Sequence, residues 1–174
     1  APSLDGPSEP GGRRTRNIGK GHNMSNWNSI DDILDFAIKG EEEAAAFYKD
    51  LATRVEKEWM KKAFLAFAKE EEGHKGKLEA IKAGKNVFSD PKSVLDLKLG
   101  DYLVEAEVSA DMSYQDALIV AMKKEKAAFK LYSDLAEKAD TEDLKNTFLS
   151  LAHEEANHKL RFEVEYDEYV LVEN

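Results

Sequence analysis

The side chains with the most chemistry in this sequence form one pattern used twice. Glu41 is followed 30 residues later by an ExxH, Glu71 and His74, and the set returns 84 positions on as Glu125, Glu155 and His158. The flanks repeat in the same register: Ala37, Lys39, Ala44, Tyr48, Asp50, Leu51 and Ala52 match Ala121, Lys123, Ala128, Tyr132, Asp134, Leu135 and Ala136. Such a duplication predicts two helical hairpins stacked on a shared centre. Four carboxylates and two imidazoles brought to one point make a binuclear metal site.

The helical period says where these residues must lie. The first apolar seam, Ile30, Leu34, Ala37, Glu41, Ala44, Tyr48, Leu51 and Val55, advances in steps of three and four. The second reads Met60, Phe64, Phe67, Glu71, His74, Leu78 and Ile81, and the third Tyr114, Leu118, Ala121, Glu125, Ala128, Tyr132 and Leu135. The fourth reads Leu144, Phe148, Leu151, Glu155, His158 and Phe162. Each seam carries its acid or histidine at mid-length, and a Glu and a His three apart share a helix face. An unpaired carboxylate there pays a heavy desolvation cost, which metal coordination removes. Glu42, Glu43, Glu70, Glu72 and Glu154 fall off the seams and read as solvated surface. His153 reads the same way, since its counterpart in the repeat is Lys69.

Composition narrows the class. Of 174 residues, 150 follow Met24, enough for one well-buried core. No apolar run approaches a membrane span and no secretion signal opens the chain, so a cytoplasmic protein without a membrane partner is expected. The net charge of −10 argues against nucleic acid as a partner. The absence of cysteine excludes disulfides, thiolate zinc sites and iron–sulfur clusters within this sequence, and fits a reducing compartment. Residues 1–24 hold three of the four prolines and five of the ten glycines, with basic Arg13, Arg14, Arg16 and Lys20 and no apolar period. They read as a disordered, vector-derived leader with Met24 as the natural start, the alternative being a basic tail for an acidic partner. Residues 25–174 read as one domain.

Ser29 and Asp32 form a capping box that opens a helix over 30–55. A second helix is expected over 57–83, a third over 113–138 and a fourth over 141–169, with Asp140 as the cap of the last. The short links within each pair require antiparallel hairpins. The stretch from Gly84 to Met112 is long enough to cross the length of the bundle, about 40 Å at ~1.5 Å per residue. An all-α, up-down-down-up four-helix bundle follows, pseudo-twofold about the metal pair.

The segments AIKGEEEAAAFYKDLA with FAKEEEGHKGKL, and AMKKEKAAFKLYSDLA with LAHEEANHKL, resemble the ferritin-like carboxylate proteins, and among them the diiron domain of the rubrerythrin family. The resemblance runs from Ile30 to Tyr169. It implies that Glu41 and Glu125 are carboxylates of the two unbroken Glu helices, that Glu71 and Glu155 bridge or chelate, and that His74 and His158 each serve one metal. The sequence departs from the family in two ways. Full-length rubrerythrins carry a rubredoxin-like iron site with four cysteines, and none occurs here. They also carry a further Glu three residues after the third-helix ligand, where this sequence has Ala128. That leaves a symmetric set of four Glu and two His.

Four carboxylates match the charge of two divalent ions, and equally that of two trivalent ions with a bridging oxide. Oxygen donors with one imidazole per metal favour two iron ions, with manganese or zinc as alternative occupants. Tyr48 and Tyr132, two turns beyond Glu41 and Glu125, are expected to donate to ligand carboxylates across the bundle. Gly40, Gly73 and Gly76, in the first repeat only, open a substrate path or admit a neighbour's helix. The resulting expectation is a diiron peroxidase reducing hydrogen peroxide with electrons from a rubredoxin-type or flavoprotein donor. Lys123, Lys124 and Lys126 would form the donor's landing area, and a homodimer is the expected assembly. The alternatives are a ferroxidase that uses O₂ and a metal-binding bundle without turnover.

Overall fold

The computed structural model describes residues 27–84, 88–104, 109 and 111–173. The reading of residues 1–24 as a leader lies outside them. Among the described residues every regular element is helical: α1 (Ile30–Arg54), α2 (Glu58–Ala83), a short α3 (Pro91–Leu95), a 3₁₀ turn (Leu99–Tyr102), α4 (Tyr114–Lys138) and α5 (Glu142–Glu173). Ser29 Oγ accepts from Asp32 N–H to start α1, and Ser113 Oγ accepts from Asp116 N–H to start α4. Both caps sit at the same point of the repeat. The Asp32 carboxylate accepts from Asn28 N–H rather than completing the box on Ser29.

Two pairs of cross-bundle contacts fix the topology. Tyr48 reaches from α1 to Glu125 on α4, and Tyr132 reaches back from α4 to Glu41 on α1. This reciprocity requires α1 and α4 to run antiparallel. The same logic applies to α2 and α5, where His74 meets Glu154 and His158 meets Glu70. With antiparallel hairpins α1–α2 and α4–α5, the order is up-down-down-up.

The apolar core is divided in two. Leu34, Leu78, Tyr132, Leu135, Phe148 and Leu151 lead one cluster, and Tyr48, Leu51, Met60, Phe64, Leu118 and Phe162 lead the other. Between them lies the layer that contains the six acids and imidazoles. The core extends further than the seams predict: Glu165, one step beyond Phe162, is also buried, and its Oε1 accepts from the Tyr114 hydroxyl at 2.9 Å. Ile30, Phe67, Ile81, Tyr114 and Ala128 are half-buried rather than buried.

Asp140 does not cap α5. Thr141 does, its Oγ1 accepting from Leu144 N–H at 3.2 Å. Asp140 instead accepts from the backbone N–H and the hydroxyl of Ser89, tying the start of the crossover to the α4–α5 turn. Tyr102 ties down its later part, donating to Asp134 at 2.6 Å. Thr141→Ala should therefore lower the unfolding free energy by about 1 kcal/mol, as loss of a cap does. Urea unfolding in which that variant matches the parent would remove Thr141 from the capping role.

Candidate metal centre

Each ligand candidate is delivered by a helix face. Glu41 and Glu125 come from the middle of α1 and α4, and the two ExxH turns come from α2 and α5. All six residues are at most 3% exposed. Glu41, Glu71, His74 and Glu155 present one ligand atom each within 4.8 Å of one another, as do Glu71, Glu125, Glu155 and His158. Glu71 and Glu155 belong to both groups and lie between the two positions. The sequence-predicted six therefore meet at one centre.

The imidazoles turn their Nδ1 atoms inward. His74 Nδ1 lies 2.9 Å from Glu155, 3.3 Å from Glu71 and 3.6 Å from Glu41. His158 Nδ1 lies 2.6 Å from Glu71, 3.6 Å from Glu125 and 3.7 Å from Glu155. The outer nitrogens meet two acids that read as solvated surface in the sequence: His74 Nε2 meets Glu154, and His158 Nε2 meets Glu70 at 2.5 Å. Glu70 is half exposed, so it links a buried imidazole to solvent. A carboxylate on the outer N–H fixes the tautomer and leaves the inner nitrogen free to bind a cation. The repeat did hold this signal, because each ExxH is preceded by a Glu at the same offset. The other off-seam acids behave as expected, Glu42 pairing with Lys75 and Glu72 with Lys49 at the surface.

Tyr48 and Tyr132 are fully buried, and each donates its hydroxyl to the Glu of the opposite unbroken helix, Glu125 and Glu41 respectively. Burial pushes the Glu41 and Glu125 carboxyls well above the usual range, and the nearby Glu155 charge adds to it. Burial acts in the same sense on Glu71 and Glu155, but the close approach of the neighbouring Glu and of both imidazoles outweighs it and holds them low. For His74 and His158 burial favours the neutral ring, and the surrounding carboxylates outweigh it to raise both. Without cations, protons thus gather on His74, His158, Glu41 and Glu125, and neutralise the cluster. Even so, both Glu71 oxygens, Glu125 Oε2 and His158 Nδ1 are buried without a hydrogen-bond partner. The 2.6 Å approach of His158 Nδ1 to Glu71 is not aligned as a hydrogen bond.

A cavity of about 310 Å³ opens between α1 and α4 and ends on Glu41, Glu71, Glu125 and Glu155. Gly40 lines it, and a Cβ added there would meet nothing within 4 Å. Gly73 and Gly76 face open solvent. Lys124 also lines the cavity and is half-buried, its Nζ 6.0 Å from the centre of the Phe47 ring. Only Lys123 and Lys126 of the three lysines are freely exposed.

No curated protein matches the sequence significantly. Two solved structures do. One, from Thermotoga maritima and assigned to the ferritin-like diiron-carboxylate proteins, has 26% identity and a TM-score of 0.67, over 81% of this chain and 96% of that one. The other, a hypothetical protein from Pyrococcus furiosus, has 25% identity and a TM-score of 0.64, over 80% and 89%. The rubrerythrin family model matches residues 32–114 and 116–174, which carry all six acids and imidazoles of the centre. The chain belongs to the rubrerythrin family.

Proposed function

We propose that this protein is a diiron peroxidase that reduces hydrogen peroxide to water with electrons from an outside donor. Glu41, Glu71, His74 and Glu155 would hold one ion, and Glu71, Glu125, Glu155 and His158 the other. The observation that carries this reading is the pair of buried four-residue groups sharing Glu71 and Glu155. The buried oxygens of Glu71 and Glu125 and the inner nitrogen of His158, which lack hydrogen bonds, fit the same reading, since they are lone-pair donors facing one another in a dry core. Mostly oxygen donors with one imidazole per ion suit iron, with manganese and zinc as competitors. A pair of ferrous ions supplies the two electrons that convert H–O–O–H and two protons to two waters.

The chain's own residues do the rest. Tyr48 and Tyr132 hold the two outer carboxylates in place through hydroxyls that have no access to water. Glu70 and Glu154 orient the imidazoles from behind. Two clusters of aliphatic and aromatic side chains flank the centre along the bundle and shield it from bulk solvent at both ends. Electrons would come from an outside carrier, a rubredoxin or a flavoprotein, in a reducing, cytoplasmic setting. Lys123 and Lys126, the exposed members of the lysine cluster, offer it a basic surface.

Reconstituted protein should bind two divalent ions per chain. Each pair should release at least two and up to four protons near neutral pH, from His74, His158, Glu41 and Glu125. Affinity should therefore fall as the solution is acidified. Metal analysis with proton counting in weak buffer checks this, and one tight ion per chain with no proton release defeats the binuclear reading. Glu71→Ala and Glu155→Ala should each lose both ions, because each carboxylate serves both positions, and should lose the metal-dependent gain in melting temperature. In stopped-flow mixing, H₂O₂ should oxidise the diferrous protein faster than O₂, with continuous turnover only when rubredoxin and its reductase are added. Faster reaction with O₂ together with Fe(II) turnover would replace this reading with a ferroxidase.

A further inference from the structure

The two halves of the duplicated bundle differ in one respect at the centre. On one side of the α1–α4 seam the Lys124 Nζ lies 6.0 Å from the centre of the Phe47 ring. The pseudo-twofold mate of that pair is Gly40 with Leu131, and there the gap is open. The opening is the cavity of about 310 Å³. Among the described residues its lining is mostly apolar and is short where the helices face each other, with Ala37, Gly40 and Ala44 on α1 and Ala127 and Ala128 on α4; Lys39, Glu43 and Lys124 also line it. Its floor is the carboxylate layer.

This space is far larger than hydrogen peroxide requires and lies in the range of pockets that enclose small organic molecules. Apolar walls above a polar floor suit a molecule with a hydrocarbon body and an oxygen head. We propose that the cavity binds an organic hydroperoxide, R–O–OH with an aryl or short branched alkyl R group, the R group held between Gly40, Ala44, Ala128 and Leu131 and the O–O end directed to the carboxylate layer. This rests on the peroxide-reducing reading and deepens it. The O–O bond breaks with two electrons from the same outside donor and two protons, giving ROH and water.

Two measurements test the cavity separately from the activity. Zinc-loaded protein, which has no redox chemistry, should bind 2-phenyl-2-propanol, the alcohol product of cumene hydroperoxide, with NMR shift changes confined to residues of α1 and α4 around the cavity. Gly40→Leu, which projects a side chain into the open space, should weaken that binding at least tenfold, and Ala128→Leu should do the same from the facing helix. In turnover, both variants should lower the ratio of kcat/KM for cumene hydroperoxide to that for H₂O₂ at least tenfold, mainly through KM. Absence of alcohol binding to the parent protein, or a ratio unchanged in both variants when they are folded and metal-loaded, overturns the proposal. Alcohol binding that both substitutions abolish, in a protein inert to either peroxide, would keep the organic site and reject the peroxidase reading.

Discussion

The interaction on which everything else depends is the mutual repulsion of four carboxylates in the dry middle of a helical bundle. Ionised together and unpaired, they would unfold any bundle of this size, because burial of charge is compensated only by opposite charge and hydrogen bonds. The chain supplies both. Two imidazoles turn inward, two tyrosine hydroxyls donate to the outer acids, and two more glutamates sit behind the imidazoles. The apolar core is split into two clusters because the layer between them must be polar throughout. Protons can balance the charge, but they leave buried oxygens of Glu71 and Glu125 without partners, which two cations would satisfy.

Duplication explains why the compensation is reciprocal. Each hairpin brings one Glu, one ExxH and one Tyr, and only the antiparallel packing of two such units lets each Tyr reach the other unit's Glu. A single hairpin would expose all of them. The symmetry is not kept everywhere. Glu165 and Phe162 stand opposite Ile81 and Leu78 in the repeat, so among the described residues a fifth buried carboxylate is found at one end of the bundle only. Its partner is Tyr114, whose own counterpart is Ile30, and the two polar residues appear together at that end as they are absent together from the other.

The architecture was legible in the sequence because helical seams report on burial, and burial is decided by period. Glu41, Glu71, His74, Glu125, Glu155 and His158 are conspicuous as the polar members of seams otherwise apolar. Glu70 and Glu154 escaped the same reading because they lie off their own helix's seam, and what buries part of each is the register of the facing helix. Cap identity was open for a different reason. Asp140 and Thr141 are both good caps, and the choice is made by Ser89, a residue 51 positions away that engages Asp140 and leaves the adjacent Thr141 to the helix. The cavity was legible only in part: Gly40, read as opening a substrate path, lines it, whereas Gly73 and Gly76 do not, and the space itself is left by short side chains on two helices whose separation no local pattern records.

The centre therefore has two unlike faces. Toward α2 and α5 it presents imidazoles backed by Glu70 and Glu154, and a second opening lined by Phe67, Glu70, Glu154, Asn157 and Arg161 reaches His158 on that face. Toward α1 and α4 it presents carboxylates beneath an opening whose lining is mostly apolar and short, with Lys39, Glu43 and Lys124 the charged residues that also line it. Such a division follows from helix geometry: the ExxH turns place their imidazoles on the pair of helices that contribute them, and the carboxylates of the unbroken helices then line the remaining side. A molecule entering between α1 and α4 meets the side of the centre without imidazoles, where neither His74 nor His158 blocks approach to both positions at once.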